Sequence, residues 1–311
     1  MNSTLSHHSV LLHEAVNALC IKSSGRYVDA TFGRGGHSRL ALASLGHGGA
    51  LLGLDRDPEA AQTAARLTAE DGRFRFEATA FSALGDVLER HGWAGQVDGI
   101  LFDLGVSSPQ LDDPARGFSF GKDGPLDMRM DPTHGESAAE WLARAAADEI
   151  SHVLRDYGEE RFHRRIARHL VESRDSTPIV STGQLAALLA ESIPTRERGK
   201  HPATRAFQAI RIHVNRELEE LETALQAALA ALAPGGRLAV ISFHSLEDRI
   251  VKRFMRAQAQ GEVLPYDLPV QGGPRGATLR VIGKAIRPQA AEVEANPRAR
   301  SAVLRVAEKL A

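Results

Sequence analysis

Apolar residues gather into short β-like runs along the first hundred positions: Tyr27-Val28-Asp29, Ala50 to Asp55, Phe74-Arg75-Phe76 and Val97 to Asp103. Between them, Ser38 to Leu45 and Pro58 to Glu70 carry apolar residues at helical spacing. Strand, helix and strand thus alternate as in parallel βαβ units. Asp57 before Pro58 supplies a cap and a pre-set first turn for one of those helices. The rhythm stops after Asp103. Residues 105–133, rich in Gly, Pro, Asp and Ser, predict an ordered loop, and helical patterns then fill 137–193 with a break at Pro178. A loop rich in Arg, Lys and Pro follows over 194–202, and one long helix is expected from Ala206 to Ala233. Pro234-Gly235-Gly236 then turns into a buried strand, Arg237 to Ser242, and residues 278–282 and 302–306 add two more strand-like runs. The economical reading is one α/β sheet interrupted by a helical insertion between strands four and five. The core's first part is expected over 1–111, the inserted loop and helical domain over 112–205, and the core's second part over 206–311. No internal repeat is visible.

Composition adds class and compartment. With 311 residues, 43% of them hydrophobic and 25% charged, the chain is of ordinary globular make-up. One cysteine, Cys20, removes an intramolecular disulfide framework and any Cys-based zinc site, so the cytosol is the default. The first residues lack the basic start and apolar run of a signal peptide, and no stretch approaches the ~20 apolar residues of a membrane span. A formal charge of −1 argues at first against a nucleic-acid partner. That total is an average over unlike parts. Residues 1–194 hold 19 Lys and Arg against 27 Asp and Glu, a balance of −8, whereas residues 195–311 hold 19 against 12, a balance of +7. An RNA substrate is therefore not excluded, and the basic excess begins at the loop containing Arg196.

The chemistry sits at strand ends. Strand one runs into Asp29-Ala30-Thr31-Phe32-Gly33-Arg34-Gly35-Gly36-His37 directly before a helix, and Asp55 ends the next strand. Glycines there let the backbone approach an adenosine cofactor, while the later acid can accept from two ribose hydroxyls. A tight turn and nothing more is the bland reading of such glycines, but their placement together with Asp55 favours a site. Two ligands fit, a dinucleotide and S-adenosylmethionine. A dinucleotide favours a third glycine where this chain has Ser38, and an acid ending strand one, as Asp29 does, favours S-adenosylmethionine. Strand four ends in Asp103-Leu104-Gly105-Val106-Ser107-Ser108-Pro109-Gln110. An exocyclic base amine is a poor nucleophile because its lone pair is delocalised into the ring. Asp103 and the Ser108-Pro109 turn offer acceptors that can hold it pyramidal and aligned, although an ordinary Asp/Ser/Pro turn explains the string equally well.

With these strings in view, the chain resembles the bacterial 16S ribosomal RNA (cytosine-N4)-methyltransferases almost end to end. The likeness includes His8 to Glu14, Asp29 to Ser38, Asp103 to Asp112, Gly124 to Asp131, Tyr157 to Arg161, His201 to Arg211, Ile241 to Arg249 and Asn296 to Ser301. The resemblance implies a class I, Rossmann-like methyltransferase sheet with an inserted helical domain. It also implies N4-methylation of one cytidine of 16S rRNA near the P site of the small subunit. It places the cofactor against Gly35, Gly36 and His37 and against Asp55, with further contacts at Phe81, Asp103 and Gln110. One departure matters: many amino-methyltransferases follow strand four with an Asp/Asn-Pro-Pro-aromatic loop, and here no aromatic stands beside Ser108-Pro109-Gln110. The acceptor of the N4 proton is thereby left open.

Other groups suit the RNA side. His244, with Ser242 and Asp248, lies at the end of strand five, where it can orient a base, though a structural histidine is the commoner outcome. Asp127-Met128-Arg129-Met130-Asp131 reads as a lid on the substrate side or as a linker. Arg161, Arg164, Arg165 and Arg168 recur at helical spacing, either as a phosphate-facing stripe or as a solvated face. Arg196, Arg198, Lys200, Arg205 and Arg211 form the better cluster. His7, His8 and His13 lack completing ligands, so no metal is expected. A dinucleotide-dependent oxidoreductase and a non-catalytic ribosome-assembly factor are the competing functions. The sequence leaves the oligomeric state open.

Overall fold

The computed structural model describes residues 9–194, 201–261 and 276–311. Seven strands form one sheet: β1 (Arg26–Asp29), β2 (Ala50–Asp55), β3 (Phe74–Ala78), β4 (Val97–Asp103), β5 (Leu232–Ser242), β6 (Leu279–Val281) and β7 (Val303–Lys309). Their spatial order is β3-β2-β1-β4-β5-β7-β6. The first five run parallel in the doubly wound order, while β7 lies antiparallel to both β5 and β6. A parallel sheet is covered on both faces, which is why β2 and β4 read as nearly unbroken apolar runs rather than as alternating ones.

Strand periodicity sorts these residues into two cores. Val28, Leu52, Leu54, Ile100, Phe102, Leu238 and Val240 pack on one face with Leu221, Leu225 and Ala228 of the helix Glu217–Ala231 and with Val251 and Met255 of the helix Ser245–Gln260. Tyr27, Leu51, Leu101, Ala239 and Ile241 point the other way, onto Ala15 and Val16, Ala41 and Leu42, and Ala60, Ala64 and Leu67. Among the described residues no helix is long and apolar enough to cross a membrane.

The chain divides into two compact units, residues 1–105 with 218–311, and residues 106–217. The second is helical, with Ala138–Arg144, Ala147–Asp156, His163–Ser176, Thr182–Ser192 and Ala203–Asn215 packed around Trp141, Leu154, Ile166, Leu170, Leu185 and Phe207. Two expectations change. The single helix from Ala206 to Ala233 is two helices, Ala203–Asn215 and Glu217–Ala231, because Arg216 takes a left-handed conformation at φ 50°. The Asp127 to Asp131 segment is no hinged lid: Met128 and Met130 are buried in the helical unit's core, and Asn215 bonds the backbone of both.

Candidate functional site

Chain direction delivers three carboxylates to one edge of the sheet. β1, β2 and β4 are parallel neighbours and end in Asp29, Asp55 and Asp103. Asp29 pairs with Gly53 and Leu101, so the other two acids each stand two residues further toward the rim. Asp29 is accordingly the buried one, at 2% exposure. Its Oδ2 accepts from Ser38 Oγ at 2.6 Å and its Oδ1 from the Thr31 N–H at 3.3 Å. Burial pushes its carboxyl up to about 6, against the pull of those two donors. Ser38, which breaks a dinucleotide-type glycine pattern, is thus a buried hydroxyl serving Asp29.

The glycine turn is shaped by backbone need. Gly33 and Gly35 hold φ of 55° and 75°, the region that glycine enters without strain. The Gly33 N–H donates to Asp55 Oδ2 at 2.8 Å, and the Asp57 N–H donates to Asp55 Oδ1 at 2.9 Å. Asp55 is also pushed up to about 6 by burial, with both N–H groups opposing. Each carboxylate oxygen keeps a further lone pair for a ribose hydroxyl. Half-buried Phe81 follows β3 and meets Phe102 edge to face at 5.9 Å. One ring edge is thereby anchored in the core, and the rest can lie against an adenine.

Asp103 donates its own N–H to Thr31 Oγ1 at 2.6 Å, which ties the ends of β1 and β4 together. Its Oδ2 lies 3.6 Å from Nδ1 of His37, a side chain 4% exposed. Its Oδ1 is shut off from solvent with no hydrogen-bond partner among the described residues. Burial pushes Asp103 up to about 6; the nearby His37 opposes the shift, and Asp29 and Glu247 add to it. The other face of His37 is taken by the N-terminal segment, with Nε2 3.2 Å from the Val10 carbonyl oxygen. Ser9 closes over Gly36 so tightly that a Cβ there would come within 2.0 Å of Ser9 Oγ.

In the helical unit the remaining candidates have local partners. Ser108 and Pro109 form the first turn of Ser108–Asp112, and Gln110 closes a capping box in which its Oε1 accepts from the Ser107 N–H at 2.8 Å. Arg129 forks onto Asp127 at 2.9 and 2.7 Å. Burial raises the Asp127 carboxyl, but the Arg129 guanidinium and N–H outweigh it and hold the group below its ordinary value. Arg211 forks onto Glu217 at 2.8 Å through both nitrogens, so its charge is already matched. Half-buried Arg205 donates to the Glu159 carbonyl at 3.1 Å. Arg161, Arg164, Arg165 and Arg168 are all exposed. Arg196, Arg198 and Lys200 lie outside the described residues.

In the sheet unit His244 caps the helix Ser245–Gln260, its Nδ1 accepting from the Glu247 N–H at 3.4 Å and its Nε2 3.0 Å from Glu247 Oε1. That is the structural role. Asp248 is forked by Arg305 at 2.7 and 2.9 Å. Thr31, Ser38, Val10 and Ser9 are the site members that spacing alone missed. The strings around His8 to Glu14 and Asp29 to Ser38 already marked their neighbourhood, but roles carried by long-range contacts have no local signature.

The MraW methylase family model matches residues 4–310 of the chain. The chain is 64% identical over 307 residues, covering 98% of both proteins, to the ribosomal RNA small subunit methyltransferase H of Thioalkalivibrio sulfidiphilus. An rRNA methylase structure from Streptococcus thermophilus aligns over 99% of this chain and 100% of its own, at 11% identity and a TM-score of 0.43. The family-model match over residues 4–310 and the 64% identity place this chain in the MraW methylase family.

Proposed function

We propose that this chain methylates N4 of one cytidine of 16S rRNA, near the P site of the small ribosomal subunit and in the cytoplasm. The methyl donor is S-adenosylmethionine. The observation carrying the reading is the convergence of Asp29, Asp55 and Asp103 beside the Gly33 to Gly36 turn, a carboxylate-rich, glycine-lined edge suited to a cationic adenosine ligand. When bound, S-adenosylmethionine supplies an electrophilic methyl group. Gly35, Gly36 and His37 line its approach, Asp55 takes the ribose, Phe81 covers the base, and Asp103 and Gln110 complete the contacts. Asp55→Ala is expected to weaken S-adenosylmethionine binding at least tenfold, equivalent to about 1.4 kcal/mol, in isothermal titration. An unchanged Kd would remove Asp55 from the site.

Direct displacement without a covalent intermediate follows from the chemistry of the target. An amine attacks through its own lone pair, whereas carbon-5 methylation needs a thiolate adduct, and Cys20 is exposed, its carbonyl accepting from the Tyr27 hydroxyl at 3.4 Å ahead of β1 rather than at the strand's carboxyl end. Alignment of amine and methyl supplies about 7–11 kcal/mol of the acceleration, and the cytosine has to leave its stack to reach the edge. Asp127, Arg129, Arg196, Arg205, Arg211 and His244 belong to the RNA side of this reading. In it Arg205 and Arg196 contact phosphate. Tritiated methyl transfer into small-subunit particles, followed by nucleoside analysis, tests the proposal. N4-methylcytidine is the expected product; RNA binding without transfer would instead make the chain an assembly factor.

A further inference from the structure

The Val10 contact fixes which nitrogen of His37 carries the proton. A carbonyl only accepts, so Nε2, 3.2 Å from the Val10 oxygen, is the protonated one. The segment that presents this carbonyl is itself held firmly: Leu11 is fully buried at a left-handed φ of 51°, and its N–H donates to Glu292 Oε1 at 2.7 Å. The ring therefore cannot simply turn away, and Nδ1 is left facing Asp103 Oδ2 at 3.6 Å. Two bare acceptors facing each other inside a protein repel. A proton between them removes the repulsion, and when Nδ1 holds it the ring faces the Asp103 carboxylate as a charged partner. Asp103 then has one oxygen turned to His37, while the other, Oδ1, is shut off from solvent with no partner among the described residues.

We propose that His37 is a positioning residue that keeps Asp103 ionised, so that Asp103 Oδ1 accepts an N–H of the target amine and then takes its proton. This rests on the methyltransferase reading above. The N4 lone pair forms the new N–CH3 bond, and the carbon–sulfur bonding pair stays on sulfur. The methylated nitrogen then gives one proton to Asp103 Oδ1, its N–H bonding pair returning to nitrogen. The product is neutral N4-methylcytidine, and once it has left, the carboxyl, 23% exposed as a group, returns its proton to solvent. His37 matters because the other strong influences on Asp103 oppose its negative charge. Burial, Asp29 at the end of β1 and Glu247 in the first turn of Ser245–Gln260 all favour the protonated acid, and His37 in the first turn of Gly36–Ser44 is the group that favours the carboxylate.

The test is the pH dependence of turnover in paired variants. His37→Gln can keep a donor to the Val10 carbonyl while losing the cation beside Asp103. Its acid limb in kcat is expected to move up by about one pH unit. That means roughly threefold slower turnover at pH 6.5, approaching tenfold below about pH 5, with recovery to within about twofold at pH 9. Asp103→Asn is expected to be slow at every pH. A His37→Gln profile parallel to the wild type, or a loss equal at all pH values, overturns the proposal, as does an Asp103→Asn enzyme of wild-type rate. Because both residues also line the cofactor site, far-UV circular dichroism and the thermal unfolding midpoint, rather than cofactor affinity, confirm that each variant is folded. A carbon-13 NMR titration of the Asp103 carboxyl, which needs no turnover, separates this idea from the broader one. An upward displacement in His37→Gln supports the pair even where no methylated cytidine is found, and an unmoved titration sinks it even where methylation proceeds.

Discussion

Asp29 illustrates how a functional edge burdens the fold that carries it. Its carboxyl is buried, and Ser38 and Thr31 hold it without offsetting that burial, so its ionised form is disfavoured. The unfolded chain ionises near 3.8 and the folded one near 6. Such a group costs nothing below the unfolded value and removes stability as pH climbs through the folded one. A shift of about two units corresponds to about 3 kcal/mol at neutral pH as an upper bound. Asp29→Asn keeps an acceptor for the Thr31 N–H and offers its amide to the Ser38 oxygen. Relative to the wild type it is expected to unfold at equal denaturant at pH 4 and to gain about 1–3 kcal/mol by pH 7. A gain that does not grow between those pH values would show that Asp29 is not the titrating group. At this scale the sequence reveals a good deal. Asp29, Asp55 and Asp103 stand out because strand ends are where a parallel sheet displays its reacting groups. Charge patterning does not reveal whether a cation is already matched, so Arg211 and Arg129 read as open charges although Glu217 and Asp127 hold them.

Elements are legible from periodicity until a distant contact overrides it. β2 and the helix Pro58–Glu70 run as the apolar pattern predicts, because both are decided by local spacing and by Asp57, whose side chain accepts from the Glu59 N–H at 3.0 Å. The stretch after Ala206 keeps its helical rhythm straight through Arg216, yet the chain breaks there. The cause lies some 85 residues away. Asn215 Oδ1 accepts from the Met130 N–H at 2.8 Å, and its amide donates to the Met128 carbonyl at 2.7 Å. Met128 itself sits at a left-handed φ of 63°. One side chain thus satisfies two backbone groups of a buried, strained loop, a demand that no local window can display. Asn215→Ala leaves both groups without that partner and is expected to cost about 2–4 kcal/mol in urea unfolding, despite alanine's better helix propensity. A loss below about 0.5 kcal/mol, the size of an ordinary surface substitution, would mean that the loop holds itself.

Across the whole molecule the informative quantity is how charge is distributed. A formal total of −1 conceals −8 over residues 1–194 and +7 over residues 195–311. For a protein that meets RNA this bounds the electrostatic part of binding. Each phosphate neutralised lowers the slope of log affinity against log salt by about 0.9 on a duplex and about 0.7 on a single strand. If only the basic portion engages, its excess of seven charges limits the slope to a magnitude of about 5–6, and local pairing reduces it further, since Arg237, Arg280 and Arg305 already face Glu308 or Asp248. Affinity for small-subunit particles measured from about 50 to 200 mM salt is therefore expected to fall with a slope magnitude of about 2–4. A steeper slope, beyond about 6, would require cations of the acidic portion to reach phosphates as well, bringing the exposed row from Arg161 to Arg168 into the contact. A slope near zero would leave shape and base contacts to carry recognition alone. The expected middle value fits an enzyme that has to find one folded site and leave it after a single methyl transfer, because strong phosphate attraction holds RNA of any sequence equally well and slows the release of product.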